Sequence, residues 1–151
     1  MKVRELMTHK VVTCWVDETL KHAAQRMWDY DIGVLPVLQG NRVVGMVTDR
    51  DIAMAAYLDD RPLSELTIEN CMSNAIYLCG PDDDLVVAEE QMAQHGVRRL
   101  PVLDGETLVG LLSLNDLARA IAAGAPISSG DIARTLGALS TPRPVAGANP
   151  I

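Results

Sequence analysis

Apolar residues along the chain alternate between two spacings, and the order of those spacings predicts the elements. Leu20, Ala23, Ala24 and Met27 fall at i, i+3, i+4 and i+7, the stripe of an amphipathic helix. Before the stripe, Val11–Val16 is a short β-rich run, and Asp17 stands where a helix N-cap is expected. After it come the apolar run Ile32–Leu38, a turn at Gln39-Gly40-Asn41, and a second strand over Arg42–Val47. That strand meets Thr48, behind which a helix continues through Ile52 to Tyr57. Pro36 cannot donate to a ladder, so its strand is expected at a sheet edge or beginning at that residue.

The whole pattern then returns. An offset of 65 positions, with no gap, aligns Met7 with Met72, Cys14 with Cys79, Leu20 with Leu85, Ala23 with Ala88 and Met27 with Met92. Leu35-Pro36-Val37-Leu38 repeats intact as Leu100-Pro101-Val102-Leu103, and Val44-Gly45 and Asp51 return as Val109-Gly110 and Asp116. The second copy is expected to run from an Ile76–Cys79 strand through a cap at Asp82 to a helix that carries Glu89 where the first has Ala24. Asp104-Gly105-Glu106 and Thr107–Leu112 then supply its turn and last strand, Ser113 ends that strand, and a helix covers Leu117–Ala123. The chain is thus an internal duplication of a β-α-β-β-α unit, an α/β fold with α+β-like character.

The expected division is a first repeat over 1–58, a linker over 59–67, a second repeat over 68–123 and an extension over 124–151. Because the connection is short, the copies are expected to pack face to face. In the extension, Gly124-Ala125-Pro126 stops a helix, and Ser129-Gly130-Asp131 caps a short segment with Ile132, Leu136 and Leu139 on one face. From Thr141 on, with Pro142, Pro144, Gly147 and Pro150, a mobile tail is expected.

Composition narrows the function. Apolar residues make up 48% of the chain, with no phenylalanine, so Val, Leu, Ile, Ala and Met must build the core. A formal charge of −7 argues against a broad nucleic-acid or anionic-membrane footprint. No run approaches the ~18 apolar residues of a membrane span, and Met1–Met7 lacks the apolar region of a signal peptide. Three cysteines, Cys14, Cys71 and Cys79, without a C-x-x-C pair suit a reducing compartment, and a cytoplasmic location is expected. His9, His22 and His95 pair with no ligand at a metal spacing, and no nucleophile elbow, Walker loop or dinucleotide fingerprint is present. An enzyme is not expected.

The candidate chemistry sits where each last strand ends. Thr48 with Asp51, and Ser113 with Asp116, have the spacing of a capping box, in which hydroxyl and carboxylate satisfy each other's backbone amides. The same helix start can also serve a nucleotide, because a carboxylate accepts from a ribose diol and free amides meet phosphate. Arg98-Arg99 breaks the repeat, replacing Gly33-Val34. By default such a pair is a solvated face or a salt bridge, but it is also a pair of phosphate ligands in waiting.

A tandem β-α-β-β-α repeat with Leu-Pro-Val in the middle strand, then Gly45–Asp51 and Gly110–Asp116, resembles the CBS-domain family over roughly Val3 to Ala123. The resemblance implies two repeats packed through their sheets about a pseudo-twofold axis, with two clefts between them. It implies a regulatory ligand, either an adenine nucleotide (AMP, ADP or ATP) or S-adenosylmethionine, and no cofactor requirement. It also implies a flat homodimer, with output through an unidentified effector protein or a dimer rearrangement.

Carried over residue by residue, the resemblance makes Thr48, Asp51, Ser113 and Asp116 ligand contacts and puts Arg99, and less firmly Arg98, at the phosphate end. Gly33 and Val34 become the wall of the opposite cleft, Val47 and Leu112 pack on the base, and Thr13 matches a ligand-contacting position whose counterpart is Leu78. Two clefts of unequal affinity are therefore expected. The rival expectation is a structural or interaction module with vestigial clefts, kept alive by Leu78, Leu114 and Gly33.

Overall fold

The computed structural model describes residues 1–141 of the 151-residue chain. Leu20, Ala23 and Met27 are buried along helix α1 (Leu20–Asp29), as their spacing requires. The cap is Thr19, whose hydroxyl accepts from the His22 amide, and not Asp17. Before α3 (Leu85–His95) the N-cap is likewise Asp84 and not Asp82. The shift has a local cause in each copy, because the chain turns once more before the helix. Glu18 and Asp83 close those turns, their carboxylates accepting from the amides of Trp15 (2.7 Å) and Gly80 (2.7 Å).

Strand β1 shrinks to Cys14–Trp15 and runs parallel to β2 (Val34–Gln39), which pairs antiparallel with β3 (Arg42–Thr48). Strand β2 is therefore central in its sheet, contrary to the edge expected from Pro36. The proline is tolerated because a strand residue's N–H and C=O share one edge. The Pro36 carbonyl faces Cys14, so its missing donor falls where β1 has not yet begun pairing. In the second copy β4 (Arg99–Asp104) pairs with β5 (Thr107–Ser113), and the expected first strand is a single bridge from Cys79 to Val102. Helices α2 (Asp49–Asp59) and α4 (Leu114–Ala122) follow directly on Thr48 and Ser113.

The segment ahead of each repeat is seated on the other one. Thr8 pairs with Leu111, while Val3 and Met7 join the core of Leu85, Met92, Leu100 and Leu112. Reciprocally, Ser73 pairs with Met46, while Leu66 and Ile68 join the core of Leu20, Leu35 and Val47. Each crossing passes over a glycine. A Cβ on Gly45 would stand 2.8 Å from the Ser73 carbonyl oxygen, and one on Gly110 would strike Met7. Neither repeat closes its core alone, which is why the copies meet through β3 and β5 about a pseudo-twofold axis.

Helix α5 (Ser129–Ser140), capped by Ser128, lies against α3 and α4 and has no counterpart helix on the first repeat among the described residues. Its buried face carries Ile132, Thr135 and the partly buried Leu139, whereas Leu136, expected on that face, is 45% exposed. Thr135 is there because its hydroxyl donates to the buried Glu89 carboxylate, the residue that replaces Ala24. The tail expected beyond Thr141 lies outside the described residues. Among those described, no helix is long and apolar enough to cross a membrane.

Candidate functional site

Both helix starts form complete capping boxes. The Thr48 amide donates to Asp51 Oδ2 at 2.8 Å while the Asp51 amide donates to Thr48 Oγ1 at 3.1 Å. The Ser113 amide donates to Asp116 Oδ2 at 2.8 Å and the Asp116 amide to Ser113 Oγ at 3.2 Å. The box uses one carboxylate oxygen and leaves Oδ1 for something else. On Asp116 the Arg119 guanidinium takes it. Asp51 is in no ion pair among the described residues, and Met54 stands where the second copy has Arg119.

Between the repeats lies a recess of about 260 Å³. Five of the candidates named from the sequence line it: Gly33, Val34, Arg99, Ser113 and Asp116. Gly33 and Val34 thus share a recess with Arg99 instead of lining only the opposite cleft. The pseudo-twofold explains the correction, since a cleft between two repeats takes one wall from each. Thr48, Asp51, Arg98, Thr13, Val47 and Leu112 are not in this lining. Val47 and Leu112 are fully buried core residues, and Arg98 is exposed with its carbonyl accepting from the Leu114 amide. Thr13 is half-buried just ahead of β1, and its neighbours Val11 and Val12 face the recess instead.

Five charged or polar neighbours escaped the sequence reading: Thr8, Lys10, Asp31, Asn115 and Arg119. Asn115 and Arg119 were findable, one inside the Ser-x-x-Asp motif and the other one helical turn past its carboxylate. Lys10 was not, because only the crossing of the N-terminal segment brings it here. The image positions of the recess differ in kind. Ala75 replaces Lys10, and Tyr77, stacked on His95 at 3.8 Å, replaces Val12.

Arg99 is the electrostatic centre of the recess. It opens β4 opposite Ser113, half-buried, and its guanidinium makes no ion pair among the described residues. Burial pushes its pKa down, while the carboxylates of Asp49 and Asp116 oppose that shift. An arginine stays charged regardless, so a half-buried cation faces the recess without a bonded anion. Gly33 matters for packing, because a Cβ there would stand 2.8 Å from Asp49 Oδ2.

Other reactive groups are quiet. Burial first, and for Cys14 the nearby Glu18 second, pushes the Cys14 and Cys79 thiols up to about 12. Cys71 is pushed up to about 11, again chiefly by burial. These thiols are neutral, poor nucleophiles at physiological pH. Among the described residues no cluster of three or more His, Cys, Asp or Glu side chains could hold a metal ion.

The family model for the CBS domain matches residues 3–57 and again 65–123. The CBS domain-containing protein YhcV of Bacillus subtilis is 36% identical over 116 residues, covering 77% of this chain and 82% of that protein. Hypoxic response protein 1 of Mycobacterium tuberculosis, solved with two coordinated zinc ions, superposes with a TM-score of 0.69 at 32% identity, covering 79% of this chain and 98% of that one. The CBS domain pair of protein MJ0100, solved with 5′-methylthioadenosine and S-adenosylmethionine, superposes with a TM-score of 0.74 at 21% identity, covering 82% of this chain and 98% of that one.

Proposed function

The chain belongs to the CBS-domain family as a tandem pair, a kind of module that regulates and does not itself catalyse, and on that premise we propose that it binds an adenine nucleotide or S-adenosylmethionine between its repeats. The observation that carries this reading is the recess itself. It combines a half-buried Arg99 lacking an ion-pair partner with a carboxylate fixed at a helix start. The guanidinium suits a phosphate, and the carboxylate suits a ribose diol. MJ0100 makes an adenosyl compound the first ligand to try, and at 21% identity it lends no residue roles to this chain.

The ligand acts by biasing an arrangement that it binds more tightly than the alternative. Two arrangements are available to such a module, one of the repeats against each other and one of whole chains. In support of the second, α1 and α2 leave Trp28, Tyr57 and Leu58 at 87%, 80% and 76% exposure, a surface suited to a second copy or an effector protein. The reading as a scaffold with vestigial clefts draws on one fact, that Arg119 already occupies Asp116.

Titration calorimetry with ATP, ADP, AMP and S-adenosylmethionine tests the proposal. Binding of at least one with Kd below about 1 mM, some 4 kcal/mol, is expected. Silence from all four at millimolar concentration would leave the scaffold.

A further inference from the structure

The recess is bordered by both Val34 and Arg99, and these are counterparts under the 65-residue offset. An operation that exchanges the repeats sends each of these positions onto the other. The image cleft is therefore bordered by the same two residues, so the pair stands beside the pseudo-twofold axis and faces both clefts. Strand register agrees: Val34 pairs with Thr48 and Arg99 with Ser113, so one member adjoins each hydroxyl helix start. Charge agrees as well, since Arg99 feels Asp49 from the first repeat and Asp116 from the second. In a symmetric duplication this place would hold two arginines or none. Here it holds one arginine and one valine.

We propose that Arg99 is a single anion-binding group shared by the two inter-repeat clefts, so that each chain holds one phosphorylated ligand tightly and a second only weakly. This rests on the nucleotide reading above and adds a coupling to it. Whichever cleft binds first draws the guanidinium toward its phosphate and withdraws it from the other. The image cleft keeps Arg50 and Arg98, but both are exposed to water, where a charge contact is screened and weak. A half-buried guanidinium gives a stronger, charge-assisted bond. Occupancy of one cleft thus lowers the other's affinity for anions without any change of backbone.

The test is calorimetry of the intact chain with ADP and, separately, with uncharged adenosine. Wild type is expected to bind the first ADP at least about tenfold more tightly than the second. Arg99→Val, which copies the residue already present at Val34, is expected to weaken the first event about 10- to 100-fold and leave the second unchanged. Adenosine affinity should stay within about twofold, because it offers no phosphate to lose. Two equal ADP sites in wild type overturn the sharing while leaving the nucleotide site standing. Equal losses of ADP and adenosine in Arg99→Val overturn it too, since they would mark a packing role. No ADP binding by wild type overturns the underlying reading itself.

Discussion

On the outer surface of the first repeat, α1 and α2 present Trp28, Tyr57 and Leu58; the matching places hold Ala93 on α3, Ala122 at the end of α4 and Ala123 just past it. The second surface carries α5, whereas among the described residues the first carries only the short helical turn Leu63–Glu65 against α1. Of these three alanines Ala93 is half-buried, while Ala122 and Ala123 stay exposed. The interiors differ in step. Ala24 in the first repeat becomes Glu89 in the second, and this buried carboxylate is satisfied only because Thr135 of α5 donates to it. Two copies with one backbone have therefore diverged: the second packs against α5, and the first leaves large apolar side chains exposed.

The largest test of that contrast removes packing from each surface in turn. Ile132→Ala deletes a buried contact of α5 and is expected to cost about 2–4 kcal/mol in urea unfolding. Trp28→Ala, on the uncovered surface, should change the stability of the monomeric chain by less than about 0.5 kcal/mol. It should, however, weaken self-association or effector capture measured by sedimentation. Equal stability losses would mean that the two surfaces are not different in kind.

A smaller effect is expected from the polar pair. Thr135→Ala strands the Glu89 carboxylate and should cost about 1–3 kcal/mol. Adding Glu89→Ala, which restores the first repeat's residue, should recover much of that loss, a coupling that a double-mutant cycle measures. Strict additivity would show that the two side chains do not act on each other.

The smallest concerns the helix starts. Arg119→Met copies Met54 and frees Asp116 Oδ1, and because Arg119 is 72% exposed the stability change should be below about 1 kcal/mol. A thermal melt checks this, and a loss well above that bound would mean that the exposed pair holds the α4 start in place.

The duplication, the helical stripes and the two capping boxes were legible in the amino-acid sequence because each is written within a turn or two of chain. Thr48 with Asp51 and Ser113 with Asp116 fold as their spacing implies, for both partners lie three residues apart. Local reading failed where a neighbour from far away decided the outcome. Asp17 was a sound cap until Glu18 closed a further turn, and Pro36 implied an edge until β1 paired beyond its ring nitrogen. Leu136 fitted a stripe, but α5 buries Thr135 instead because Glu89, 46 residues earlier, needs a donor. Which side chains share the recess was likewise settled by tertiary structure. Lys10 arrives on a crossing segment, and Val34 meets Arg99 only across the pseudo-twofold. Spacing along the chain sets which face a residue takes within its own element, whereas adjacency between elements is set by how their buried surfaces fit together.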